Sequence, residues 1–200
     1  KGDIVLLEEQ KVGPFGSYSD GVTSSIYLDN FPLEGQDECY DIIEEIVNYK
    51  KATVIVPAGN GNMERDIPHD MDSGLSTYAS SRAFIVEYDS GSIMVAATNS
   101  SPPYLPVDEK FYNSSGIMFE YYATNFGSRV NCFAHGRAVV SCGLDDTVKV
   151  PEDDDSEYTN SFALTSSASA IVAGCALLIQ GAYKEKFGGY IEPATMRSIL

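Results

Sequence analysis

Residues 163–174 read ALTSSASAIVAG and set Thr165, Ser166, Ser167 and Ser169 directly ahead of an apolar helical pattern. Two kinds of chemistry suit hydroxyls in that place. A hydroxyl at the start of a helix accepts from backbone N–H groups that lack an intrahelical partner, and so caps the helix. The same N–H groups, with the helix dipole behind them, stabilise negative charge on a reacting oxygen, which makes such a hydroxyl a candidate nucleophile. Acyl transfer by a hydroxyl also needs a further donor aimed at the developing oxyanion. The stretch VIVPAGNGN at 54–62 places Asn60 just past an apolar run. The plainer reading of Asn60 is a turn residue after Gly59, a common use of Asn. A phosphate-cradling loop fits PAGNGN poorly, because the full glycine fingerprint is missing and no clear helix pattern follows.

The elements that must position these residues follow from hydrophobic periodicity. DIVLLEE (3–9) has the continuous apolar run of a buried strand, and a long loop with Gly and Ser follows to about residue 35. From Asp37 to Lys50, the residues Cys39, Ile42, Ile43, Ile46 and Val47 recur at helical spacing and define a face that packs on a sheet. ATVIVPAGN then gives a second buried strand, and SIMVAAT (92–98) a third. VNCFAHG (130–136) and AVVSCG (138–143) give two shorter strands. Strands apolar on both faces, separated by helices, imply a parallel sheet covered on both sides. From Ser166 onward Ala168, Ile171, Val172, Cys175, Leu178, Ile179 and Ala182 trace one helical stripe, ending near Lys186 and Gly188, that predicts a core helix. EPATMRSIL begins another helix, with Pro193 in its first turn.

Composition limits the functions available. Two hundred residues, 44% of them hydrophobic, suit one globular domain. A formal charge of -16 repels nucleic acid and anionic membranes, so neither is expected as a partner. No apolar stretch is read as membrane-spanning, and no signal peptide precedes DIVLLEE, so the chain reads as cut from something longer. The acidic run EDDDSE (152–157) reads as a solvated loop rather than a calcium site, and the four cysteines lack zinc-site spacing. No metal or cofactor is expected. Cys39 and Cys175 fall on apolar helix faces, as buried free thiols do, while Cys132 and Cys142 lie either side of AHGRAVV and can pair if their strands are neighbours. Sequons at Asn99 and Asn113 are compatible with secretion, which makes an extracellular location the expectation.

The order of these pieces resembles the subtilisin-like serine proteases over nearly the whole chain. TSSASAIVAG (165–174) is similar to the family's nucleophile signature, and VIVPAGNGN to the strand and turn that carry its oxyanion-hole Asn. GSIMVAATNSS and NFGSRVNCFAHG resemble the segments that lie between them in the family. The resemblance implies an α/β fold of subtilisin-like three-layer α/β/α form, with a mainly parallel sheet truncated at both ends. Residues 1–200 would then be part of a peptidase domain. It implies a serine endopeptidase in which Ser166 is the nucleophile, and the Ser166 N–H with the Asn60 amide forms the oxyanion hole. Glu8, Glu9 and Gln10 would be the substrate-pairing edge, with Gly59 also against the substrate, and their acidity suggests a basic or polar peptide or protein substrate. A monomer is expected.

Two departures qualify that implication. The family's catalytic Asp and His belong in segments upstream of DIVLLEE, and the two histidines present, His69 and His135, stand in other contexts. His69 reads as part of a polar surface loop and His135 as structural. Leu164 stands where the family has Gly, and Ala170 where it has Pro. A γ-branched residue restricts the torsions and close approach that Gly permits, so Leu164 is expected to obstruct the substrate cleft. The chain is therefore either the nucleophile-bearing part of an active protease, inactive by itself, or a non-catalytic module that binds peptides or partner proteins through the old cleft.

Overall fold

The computed structural model describes residues 1–19, 26–61, 89–99, 101–104, 107–112, 118–142, 148–149 and 157–200. In chain order, β1 (Ile4–Leu6) leads to a hairpin of β2 (Gln10–Ser19) and β3 (Ile26–Pro32), then α1 (Asp37–Glu45), which widens into a π turn over Ile46–Lys50. β4 (Thr53–Pro57) and β5 (Ile93–Thr98) come next, then a second hairpin, β6 (Asp108–Tyr112) with β7 (Met118–Ala123). β8 (Cys132–His135), β9 (Val139–Cys142), β10 (Val148–Lys149) and β11 (Glu157–Phe162) precede α2 (Leu164–Phe187) and α3 (Pro193–Ile199).

Four strands form one parallel sheet in the order β1-β4-β5-β8. β4 and β5 are buried along their whole length, which is why both read as unbroken apolar runs. Their alternate residues serve opposite layers. Val54, Val56, Met94 and Ala96 pack with Ile43 and Val47 of α1 and its π turn. Ile55, Ile93, Val95 and Ala97 pack with Ala168, Val172, Ala173 and Ala176 of α2 and Met196 of α3. The sheet therefore lies between helix layers, an α/β arrangement. The period of two along each strand sends neighbouring residues to different helices.

Several details differ from the periodicity reading. The segment read as a loop before residue 35 contains the antiparallel pair β2–β3, with an irregular register between Val12 and Ser17 where Gly and Pro interrupt the strand. β9 leaves the parallel sheet and joins β10 and β11 in a separate antiparallel one, so Cys132 and Cys142 stand in different sheets; all four cysteines are free. The inward face of α1 and its π turn is Tyr40, Ile43 and Val47, while Ile42 is 59% exposed. On α2 the buried stripe is made of small residues, Thr165, Ala168, Ser169, Val172, Ala173 and Ala176, and Cys175 and Leu178 face outward. Close packing explains the choice, since a helix seated on a flat sheet presents its smallest side chains to it. α2 is also long and apolar enough to cross a bilayer by length and composition, which corrects the expectation that no segment reaches that length; its first half is part of this core. His69, Asn113 and residues 152–156 of the acidic run lie outside the described residues.

A buried ion network ties the entry to α1 to the segments leading into β5 and β8. Arg129, 1% exposed, donates through Nε to Glu34 Oε1 at 2.8 Å and through Nη2 to Glu34 Oε2 at 2.5 Å. It also donates to the Ser92 carbonyl and to Asn131 Oδ1. Glu34 Oε2 further accepts from the Ser92 hydroxyl at 2.6 Å. Asp89 lies 3.3 Å from Arg129 and is held in a two-point contact by Arg197 of α3 at 2.7 and 2.5 Å. Burial alone would push the Asp89 carboxyl up, but the Arg197 hydrogen bonds, the charge of Arg129 and the Gly91 N–H outweigh it and hold its pKa below the usual value.

Candidate functional site at the carboxyl end of the sheet

The carboxyl ends of β4, β5 and β8 meet the first turn of α2, the side of an open α/β sheet where ligand crevices form. Leu164 N–H donates to the Gly136 carbonyl at 2.7 Å, and the Ser167 hydroxyl to the His135 carbonyl at 3.2 Å, so the helix begins against the end of β8. Gly136 permits that approach. A Cβ there would run into Ala97 Cβ and lie 2.8 Å from the Leu164 carbonyl oxygen.

Asn60 reaches the same turn from β4, through a Gly59 that takes a φ of 88°. Its Oδ1 accepts from the Thr165 N–H at 3.0 Å and from the Thr165 hydroxyl at 2.8 Å. Because a backbone N–H can only donate, this contact fixes which end of the amide is oxygen. The other end, Nδ2, has no acceptor among the described residues, although Asn60 is only 5% exposed. No side chain of α2 itself caps the helix at Ala163, and the cap comes instead from Asn60, 105 positions earlier in the chain. Ser166 follows Thr165, is half-buried, and offers its carbonyl to the Ser169 hydroxyl. Neither its own hydroxyl nor its N–H has a partner among the described residues. Two unpaired donors, Asn60 Nδ2 and Ser166 N–H, thus accompany an unpaired hydroxyl at the positive end of a helix.

Three amide side chains hold the Asn60 turn in place. Gln10 Oε1 accepts from the Asn60 N–H at 3.0 Å, and Asn30 Nδ2 donates to the Asn60 carbonyl at 3.2 Å. Asn125 Nδ2 donates to the carbonyls of Ala58 at 2.8 Å and Asn30 at 2.9 Å, while its own N–H reaches the Gly59 carbonyl at 3.0 Å. Asn125 Oδ1 fills the space a side chain on Gly61 would need. Asn30 and Asn125 were not singled out from sequence, and Thr165 was read as a cap or nucleophile candidate rather than as the anchor of Asn60. An amide that clamps a distant turn leaves no local pattern in the sequence.

Of the substrate-edge residues expected from sequence, Gln10 touches the site, and Gly59 forms its turn. Glu8 and Glu9 are exposed at the end of β1; desolvation pushes the Glu8 carboxyl above its usual pKa, and Glu9 Oε1 accepts from the Gln10 N–H at 3.1 Å. His135 places its carbonyl against Ser167, but its exposed ring meets the Asn99 carbonyl at 3.3 Å and the Tyr104 ring edge-on at 6.0 Å. Among the described residues, no group of three or more His, Cys, Asp or Glu is placed to hold a metal ion.

Leu164 keeps the backbone conformation of a glycine, with a φ of 67°. Its half-buried side chain packs against the core cluster of Ile55, Val95 and Ala168, which accounts for how the helix start accommodates it. The left-handed conformation costs an ordinary residue about 1–2 kcal/mol. Leu164→Gly removes that strain, but loses about 1 kcal/mol of partial burial and about 0.5–1 kcal/mol to the greater freedom of the unfolded chain. Its stability by urea unfolding is expected within about 1 kcal/mol of the parent. Leu164→Val keeps most of the apolar volume but adds β-branching to a left-handed residue, and is expected to lose about 2 kcal/mol. The reverse order would show that packing, not torsion, dominates at this residue.

No known family model and no curated protein matches the chain.

Proposed function

We propose that this chain is the nucleophile and oxyanion part of a subtilisin-like serine endopeptidase, its three-layer sheet being a portion of that fold. The observation that supports the reading is the anchored Asn60 amide, whose Oδ1 is bound by Thr165, the residue before Ser166, while Nδ2 and the Ser166 N–H have no partner among the described residues. In acyl transfer, Ser166 Oγ attacks the scissile carbonyl carbon and its proton passes to a base. The carbonyl oxygen takes up negative charge between the two donors, and collapse expels the amine and leaves an acyl-Ser166 that water then hydrolyses. Donors already bonded elsewhere would have to be freed at each turnover, whereas these two are held ready. Their orientation is set by Thr165 and by the Gln10, Asn30 and Asn125 clamp rather than by the substrate.

The base is the missing partner. No described histidine bonds Ser166, and a serine hydroxyl without a base is a weak nucleophile. In this reading the Asp and His come from polypeptide outside residues 1–200, and Glu8 and Glu9 face the substrate and favour basic peptides.

A fluorophosphonate probe tests the reading. The 200-residue chain is expected to remain unlabelled. The protein extended by the sequence encoded ahead of Lys1, with an Asp-x-Gly and a His-Gly-Thr segment, is expected to label stoichiometrically at Ser166. Substitution of those upstream residues, with no labelling of the extended protein, would replace the protease reading by that of a peptide-binding module. Full labelling of the short chain would show that another base has been recruited.

A further inference from the structure

The cysteine spacing in the sequence draws attention to Cys132 and Cys142, but the fold turns Cys132 towards a different thiol. β8 is an edge of the parallel sheet, and its residues alternate in facing. Phe133 and His135 are exposed, whereas Cys132 and Ala134 pack against the cluster built from Val172, Ala173 and Ala176 of α2. The contact of Ser167 with the His135 carbonyl fixes the register of helix against strand at its upper end. From His135 back to Cys132 is about 10 Å of strand, and about 10 Å of helix from Ser167 leads to Gly174 and Cys175. Cys175 therefore stands level with Cys132. Small residues on both sides, Ala134, Ala173 and Ala176, keep strand and helix close.

The electrostatics agree with that register. Burial raises the Cys132 thiol to about 11, and a charge on Cys175 adds to the rise, as it does only for near neighbours. Cys175 itself is exposed, and both thiols are free.

We propose that Cys132 and Cys175 are a reversible dithiol–disulfide pair that fastens the edge strand β8 to the helix bearing Ser166. The oxidant is a low-molecular-weight disulfide such as glutathione disulfide. The exposed Cys175 reacts first, as its thiolate attacks one sulfur of the reagent, whose S–S bond breaks and releases one glutathione thiolate. Cys132 then gives its proton to solvent and attacks Cys175 Sγ, expelling the second glutathione. Two protein thiols are oxidised, one reagent disulfide is reduced to two thiols, and the protein loses two hydrogens. The link closes a loop that contains β9 and β11 and the start of α2, so its formation holds the first turn of that helix against β8. The pairing does not depend on the protease reading.

The test treats the 200-residue chain with glutathione disulfide, blocks remaining thiols with N-ethylmaleimide, and maps the digest by mass spectrometry. The expected product is about 2 Da lighter before blocking, with Cys132 joined to Cys175 and with Cys39 and Cys142 alkylated. Its Tm is expected to rise by about 5–10 °C, reversibly with dithiothreitol, because the closed loop restricts the unfolded chain. Cys175→Ser, a change at an exposed site, is expected to abolish both the mass change and the Tm shift. A wild-type chain that stops at the glutathione adduct of Cys175, or that joins Cys132 to Cys142, would overturn the proposal. So would a Tm shift that persists in Cys175→Ser.

Discussion

On the proposed protease reading, Asn60→Ala is expected to lower the turnover of the extended protein by roughly two to three orders of magnitude while leaving KM within about threefold, the magnitude being that known for the oxyanion-hole Asn of subtilisin. The division between kcat and KM follows from where the amide acts. In that reading Nδ2 meets charge that exists only once Ser166 has added to the carbonyl, so its loss raises the barrier more than it weakens the bound substrate. Asn60→Asp sharpens the test. An aspartate can still accept from the Thr165 N–H and hydroxyl, which keeps the helix cap, but it places a negative oxygen where the donor stood. Its turnover should fall at least as far as that of Asn60→Ala, with the smaller loss of stability. Asn60→Ala itself gives up the cap and is expected to cost about 1–2 kcal/mol, so rates are compared at a temperature where every variant is folded. Ser166→Ala should remove turnover to the level of the remaining oxyanion donors and binding. Hydrolysis that survives Ser166→Ala, or an unchanged kcat in Asn60→Asp, would end the assignment of these two residues.

The largest stability effect is expected at Glu34. Its carboxylate is 3% exposed and engaged by the Arg129 fork, the Ser92 hydroxyl and the Ser90 N–H. Glu34→Ala leaves the Arg129 guanidinium buried with one of its counter-charges removed, a change that typically costs about 3–5 kcal/mol. Asp89 remains near Arg129 but is already committed to Arg197, which limits how far it can compensate. Arg129→Ala should cost a similar amount by stranding Glu34. The double variant should cost clearly less than the two single losses added together, with a coupling of at least about 2 kcal/mol, because no unpaired charge is then left inside. Urea unfolding of the four proteins at pH 7 reads all three quantities. A Glu34→Ala loss below about 1 kcal/mol would mean that water or a shift of Asp89 replaces the pair.

Much of the scaffold was legible in the order of residues. β4 and β5 are apolar on both faces because each face meets a helix, and a run such as TVIVP or IMVAAT can hardly be placed otherwise in a soluble fold. Pro193 at the first turn of α3, and Gly188 closing α2 with a φ of 72°, likewise act through their own backbone torsions, which local sequence specifies. The helix at Leu164 and the Ala-Gly-Asn turn were paired through their resemblance to subtilisin-like motifs in the same chain order, not through any local pattern that joins them.

What only the tertiary structure decided depends on partners far away along the chain. The hairpin β6–β7 and the strands β10 and β11 were not read from periodicity; they are defined by pairing with strands elsewhere in the chain. Periodicity traced an α2 stripe through Ile171, Cys175 and Leu178; the sheet instead selected the face with the smaller side chains and left Cys175 and Leu178 exposed. Leu164 carries no local sign of its positive φ, which is imposed by the bond of its N–H to the Gly136 carbonyl and by packing of its side chain. The direction of the Asn60 amide was decided in the same way. Sequence supplied an Asn in a turn and a Ser at a helix start, but a side-chain amide turns freely until a donor claims its oxygen. Here the donor is Thr165, and only the closing of the sheet brings the two together, so that Nδ2 and the Ser166 N–H are left without a partner among the described residues.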